Sequence, residues 1–226
     1  MEHHHRNVVG GAGRAAVFGA SDGLLSNVSL ILGVAGGHPS AGVVRLAGLA
    51  GLVAGAVSMS AGEYVSMRAQ TELLERELDM ERRELKHKPH VEQVELAQIY
   101  AAKGISPDLA QDLAREIMRD PEMALDAHAR EELGINPNSL GSPVQAALSS
   151  FLCFALGALL PLLPWLFTSG TGAVIGSIVL GALGAVGLGV ALATFTGRSK
   201  WFSAARQLGI AAAAAAITFG IGHLVG

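Results

Sequence analysis

The sequence predicts an all-α integral membrane protein with five transmembrane helices and a helical domain inserted between helices two and three. Three observations carry that prediction. Of the 226 residues 50% are hydrophobic and only 15% charged, against roughly 25% charged in an average soluble domain. The charges are gathered in one place, since 16 of the 19 acidic and 10 of the 16 basic residues lie between Met67 and Gly141. Outside that stretch, five apolar segments approach or exceed the about 20 residues that a helix needs to cross a bilayer. The domains implied are 1–67 for the first two spans, 68–142 for the insert and 143–226 for the last three spans.

Span one runs from Ala15 to Gly37 with one charge, Asp22, and is too long and too interrupted by Asp22 and Asn27 to be a cleaved secretory signal. Span two, Leu46 to Gly62, is uncharged and extends to Met67 if Glu63 is accepted. Val144 to Phe167, Thr171 to Gly197 and Gln207 to Gly226 carry no charge, and no carboxylate side chain follows Glu132. Lysine and arginine favour cytoplasmic loops. Arg6 and Arg14, the ten basic residues of the insert, and Arg198, Lys200 and Arg206 therefore place the N-terminus and the insert in the cytoplasm and the C-terminus outside; Arg45 alone falls on the wrong side. Glycines such as Gly48, Gly51 and Gly55, and Gly176, Gly181 and Gly184, read as close helix packing.

The insert carries helix signals throughout. Neither glycine nor proline interrupts Met67 to Lys88, so span two is expected to continue out of the membrane as one helix until Pro89 stops it. A second helix follows from Val91 to Lys103, closed by Gly104; Ser106-Pro107-Asp108 starts a third, to about Arg119; Pro121 opens a short fourth ending at Gly134. Glu77, Glu81 and Glu84 lie at i, i+4 and i+7, and Glu92 and Glu95 at i, i+3, so a hairpin around Pro89 would bring glutamates together. Like charges at this spacing destabilise a helix unless neutralised, and a divalent cation would neutralise them. From spacing alone the simpler account is a solvated face with Arg82, Arg83, Lys86 and Lys88 as partners. His128 and Glu132, at i and i+4, are a further pair of candidate ligands, with an ordinary surface histidine as the alternative. Glu84-Leu85-Lys86-His87 is the Glu-x-x-His element that di-iron bundles use twice, but it occurs once.

Inside the spans, an ionisable residue is costly and marks an ion site or pathway. Asp22 shares a polar stripe with Ser26, Asn27 and Ser29; in span two Met59, Glu63 and Met67 stand at i, i+4 and i+8. Carboxylates with a thioether suit a transition metal better than magnesium or calcium. The plain alternatives are an interfacial carboxylate for Glu63 and packing for Met59.

These residues lie in stretches that resemble the vacuolar iron transporter family: VFGASDGL at 17–24, GAVSMSAGEYVS at 55–66, ERREL at 81–85, VELAQIY at 94–100 and HAREELG at 128–134. The resemblance implies a homodimer of five-span subunits with a path between them lined by spans one and two. It implies ferrous iron, with manganese, zinc and cobalt as further cargo, leaving the cytoplasm in exchange for protons. Asp22 and Met59 then match path ligands, with Glu63 at the cytoplasmic mouth. Glu81, Glu84, Glu92, Glu95 and Glu132 match the glutamates of a cytoplasmic metal-binding domain. Some relatives have methionines where His128 and Ala129 stand, and an imidazole would replace the thioether. The membrane would be the inner membrane in a bacterium, which the short loops and alanine-rich spans favour, or the vacuolar membrane in a eukaryote.

Other functions are excluded or demoted by what the chain lacks. A net charge of -3 and the absence of a basic, aromatic-interleaved stripe exclude a nucleic-acid binder. The single cysteine, Cys153, excludes an internal disulfide framework and is expected to be an inert buried thiol. Neither a Ser-His-Asp arrangement, a phosphate-cradling glycine loop nor a CxxC pair suggests an enzyme. The expected function is proton-coupled export of divalent metal by a protein without a prosthetic group. The rivals are a membrane-anchored ferroxidase and a metal sensor or store. His3, His4 and His5 are expected to be a tag remnant, a weak metal-binding tail or without a role.

Overall fold

A computed structural model describes residues 11–134, 136–137 and 141–225, so the N-terminal histidines lie outside the described residues. Eight α-helices occur among them: α1 Gly11–Gly36, α2 Ala41–His87, α3 Pro89–Ala102, α4 Pro107–Ile117, α5 Pro121–Glu131, α6 Pro143–Phe167, α7 Gly170–Thr196 and α8 Lys200–Val225. The described residues contain no strand. Five of the helices are long and apolar enough to cross a membrane: α1, α2, α6, α7 and α8. The chain divides into two compact units, Met1–Met67 with Ser142–Gly226, and Arg68–Gly141.

The first unit holds the five spans. Its outer faces are apolar, with Leu46, Leu49, Val53 and Val57 of α2, Leu148, Leu152 and Leu156 of α6, and Ile175, Val179 and Leu183 of α7 exposed. A helix apolar on all sides belongs in lipid or a large core, and small and polar residues are turned inward beside large ones such as Leu24, Ile31 and Leu162. Ser150, Ser177 and Ala158 are fully buried. Trp165 Nε1 donates to Ser177 Oγ at 3.0 Å, and that hydroxyl donates to the Pro161 carbonyl at 2.6 Å, which ties α6 to α7. One end of the unit is closed by the buried trio Ala15, Met67 and Ala146. Met67 is therefore core, not part of a polar stripe.

Helix α1 runs against α6 with backbone nearly touching backbone. A Cβ on Gly23 would meet the Phe154 carbonyl, and one on Gly157 would meet the Ala20 carbonyl and lie 3.0 Å from Leu24 N. Gly187 of α7, by contrast, has nothing within 4 Å of such a Cβ. Gly157→Val is therefore expected to remove about 3 kcal/mol of stability, whereas Gly187→Ala stays within about 0.5 kcal/mol. Thermal unfolding in detergent checks the pair, and equal melting temperatures would refute the packing argument.

Element ends differ from the sequence expectation by several residues, because hydropathy marks where lipid begins and not where a helix begins. α8 starts at Lys200, not Gln207, with Ser203 N bonded to the Ser199 carbonyl at 3.1 Å. α1 is already helical at Gly11, the first described residue, and α2 starts at Ala41. α4 ends at Ile117 and α5 at Glu131, each earlier than its expected stop. Arg45, out of place by the charge bias, has a structural role: its Nε donates to the Trp165 carbonyl at 2.5 Å and its guanidinium reaches the Thr168 carbonyl at 3.3 Å, capping the end of α6. Cys153 is half-buried in α6, not fully buried.

In the second unit α2 continues without a break to His87, as Met67–Lys88 predicts, and Pro89 occupies the first turn of α3. Gly104 and Gly134 follow α3 and α5 with φ of 96° and 66°, left-handed backbone that favours glycine. Asp120 caps α5, accepting from Glu122 N at 2.9 Å and Met123 N at 3.2 Å. Leu78 of α2 buries against Leu125 and Ala129 of α5, and Leu96 and Ala97 of α3 against Ala114 of α4.

Candidate metal sites

The Leu78–Leu125–Ala129 cluster presses α5 onto α2 and thereby brings His128 to Glu81, 47 residues away. Nδ1 of His128 lies 3.2 Å from Glu81 Oε1 and 3.5 Å from Glu132 Oε2. One ligand atom from each of the three residues falls within 4.8 Å of the others. Donors bound to a common transition ion at 2.0–2.2 Å stand about 3–4 Å apart, so the triad is close to the spacing a cation imposes. His128 is fully buried and Glu81 nearly so, while Glu132 caps the end of α5 toward solvent. Nε2 of His128 has no hydrogen-bond partner, and Nδ1 and Glu81 Oε1 have only their 3.2 Å contact with each other and the contact of Nδ1 with Glu132. A bare buried polar atom costs about 1–3 kcal/mol, and a bound cation would satisfy the imidazole and the carboxylates together.

The electrostatics place the other glutamates around the same point. Burial, followed by the charges of Glu132, Glu92, Glu84 and Glu95, pushes the Glu81 carboxyl up to about 7. Glu92, also buried, is raised by burial and by Glu95, Glu84 and Glu132, with His128 acting in the opposite sense. Burial disfavours a charge and neighbouring carboxylates disfavour it further, so this is a pocket of concentrated negative potential awaiting a positive charge. Glu95 is half-buried and Glu84 exposed. His87 is exposed, with Nδ1 against the Arg83 carbonyl at 2.7 Å, so the lone Glu-x-x-His does not present its histidine as a di-iron bundle requires.

The membrane unit holds a second constellation. Asp22, Ser26, Asn27 and Leu30 of α1, Gly51, Gly55, Ser58 and Met59 of α2, and Phe154 of α6 line an open cleft of about 330 Å³. Asp22 and Met59 therefore share one cavity, as the stripes on the two helices predict. Asp22 is exposed within the single chain, not buried. Met59 packs half-buried against the Ala56–Phe154–Ala158 cluster, so its packing role and its place in the cleft coexist. Glu63 does not line the cleft; one turn further on, its carboxylate pairs with Arg14 at 3.0 Å. The sequence marks Arg14 only as an orientation signal, because its partner lies 49 residues away.

Comparison with known proteins agrees with this architecture. Residues 13–223 match the model of the VIT family. The chain is 38% identical over 97% of its length to a protein of Acanthamoeba castellanii named vacuolar iron transporter, covering 82% of that relative. It is 31% identical to vacuolar iron transporter 1 of Arabidopsis thaliana over 100% of its own length and 91% of the relative's, and 32% identical to vacuolar iron transporter 1 of Eucalyptus grandis over 94% and 86%. A family match spanning nearly every described residue, together with five apolar helices of membrane-crossing length, makes the chain an integral membrane protein that belongs to the VIT family.

Proposed function

We propose that the protein is a metal ion transporter that exports ferrous iron, and manganese as a second cargo, from the cytoplasm in exchange for protons. The relatives are named as iron transporters, not as enzymes. The observation that carries the reading is Asp22, a carboxylate on the outward side of an apolar helix, in one cleft with the Met59 thioether. A carboxylate facing lipid is expensive. A second copy of the chain laid over the α1–α2 face would enclose it, and the path would then run between two subunits. On this reading the carboxylates around Glu81 and His128 gather metal in the cytoplasm, where the basic residues of the insert also place it. Glu63 stands at the entrance of the path, held by Arg14 until an ion competes for it. Carboxylates bind metal only when deprotonated, so protons from an acidic far side would compete with the ion for the path, which is the physical basis of exchange.

The test is ferrous iron flux into proteoliposomes of the full chain under an imposed pH gradient. Flux that follows the gradient and collapses with it supports the proposal. Folded protein that carries no iron but still binds it at the insert would refute transport and favour a sensor or store; oxygen uptake during iron binding would instead favour a ferroxidase.

A further inference from the structure

Besides the hydroxyls of Ser26 and Ser58, the cleft is lined by a polar side chain, Asn27, that the pairing of Asp22 with Met59 does not use. Asn27 is 1% exposed. Its Nδ2 donates to the Ala158 carbonyl at 2.6 Å, bridging α1 to α6. That bond fixes which way the amide faces, because the opposite orientation would set two carbonyl oxygens against each other. Oδ1 is thereby turned to the other side, where it is buried and accepts no hydrogen bond. The buried hydroxyls of Ser29 and Ser150 also have no partner, but a hydroxyl can rotate and donate to a neighbouring helix carbonyl. An amide oxygen cannot, and of these three residues only Asn27 lines the cleft with Asp22 and Met59.

What stands opposite Oδ1 is a missing side chain. A Cβ built on Gly51 of α2 would lie 2.9 Å from Asn27 Oδ1 and 2.5 Å from Leu30 Cδ2. Any other residue at 51 would fill the space that the oxygen faces. A buried acceptor pinned by its own amide nitrogen, on a residue that lines the cleft and beside a glycine, can offer a neutral oxygen donor to a cation.

We propose that Asn27 Oδ1 is a further ligand for the divalent cation in the membrane cleft, alongside Asp22 and Met59, and that Gly51 keeps its approach open. The proposal rests on the transport reading above. A hard, uncharged oxygen binds without a proton to release, so it adds affinity without adding to the proton exchange. Beside one carboxylate and one thioether it shifts the donor set toward ions that accept oxygen, such as ferrous iron and manganese, over softer ones.

The experiment compares Asn27→Leu, Asn27→Asp and Gly51→Ala with the wild-type full chain in proteoliposomes, reading initial rates against ferrous iron and manganese concentration. Asn27→Leu is expected to raise KM about tenfold for both ions, and Asn27→Asp, whose second carboxylate oxygen would face the Ala158 carbonyl in place of the donor, to raise it as well because the ligand oxygen is no longer pinned. Gly51→Ala removes neither partner of the Asn27–Ala158 bond and is expected to raise KM likewise by filling the space, so it carries the test if Asn27→Leu does not fold. A purely structural role would lower the yield of folded protein and the maximal rate with KM unmoved. Wild-type KM in folded Gly51→Ala or Asn27→Leu would overturn the proposal. If the wild type carries no ion, the transport reading fails separately. The Asn27 assignment is then decided by Co2+ titration of the full chain bearing Glu81→Gln and His128→Ala, where adding Asn27→Leu must weaken binding about tenfold and an unchanged affinity overturns it.

Discussion

Asp22→Ala is expected to lower gradient-driven iron flux by at least about 100-fold, with the protein still folded. A divalent ion entering an apolar bilayer needs compensating negative charge, and Asp22 is the carboxylate that lines the cleft. Charge at the centre of a span is worth about 3 kcal/mol on insertion scales, and each 1.4 kcal/mol is about tenfold in an equilibrium constant. Because Asp22 is exposed in the chain and no ion pair of its side chain occurs among the described residues, the alanine variant loses no packing. Its melting temperature should match or exceed that of the wild type, which separates lost chemistry from lost fold. Asp22→Asn, which keeps the shape and removes the charge, should be nearly as inactive. Wild-type flux in either variant would sink the assignment of Asp22 to the path.

Glu81→Gln is expected to weaken metal binding at the insert by about 100-fold and to make the metal-free protein more stable at pH 8. The sign follows from the raised carboxyl, held at about 7 against an ordinary 4.5. The folded state holds this proton more tightly than the unfolded state does. The associated stability is present in full below pH 4.5 and is lost as pH rises through about 7. At pH 8 the wild type carries a buried charge that glutamine lacks, worth about 1–2 kcal/mol. Metal affinity runs the other way: the ion must displace the proton, so binding should tighten toward tenfold per pH unit up to about pH 7 and level off above it. Calorimetric titration of manganese into the full chain at pH 5.5, 6.5 and 7.5, beside thermal melts without metal, reads both effects. Affinity independent of pH over that range, or a Glu81→Gln protein less stable than wild type at pH 8, would contradict the picture of a negative pocket awaiting a cation.

Much of the fold was legible because a bilayer makes its demands locally. A spanning helix must satisfy its own backbone hydrogen bonds and present about 20 apolar residues in a row, and a contiguous stretch such as 144–167 reports both. Pro89, Pro107 and Pro121 likewise announce the helices that they begin, because a proline is tolerated in the first turn and nowhere later without cost. The candidate ligands were legible as residue types at helical spacing. Their roles were not equally so: Glu81, Glu84, Glu92 and Glu95 follow one pattern, yet Glu81 and Glu92 are buried and Glu84 is exposed.

The sequence by itself determined the five spans, the separation of apolar from charged segments, and the short list of carboxylates, thioether and imidazole able to meet a metal. Tertiary structure alone decided which of them meet. The Glu81–His128 contact joins residues 47 apart, the Arg14–Glu63 pair 49 and the Asn27–Ala158 bond 131. Local periodicity carries no information about such distances, because each depends on where two helices cross. In the membrane unit those crossings are set by glycine faces such as Gly23 and Gly157, where backbones approach so closely that a single added methyl group would have to push the helices apart.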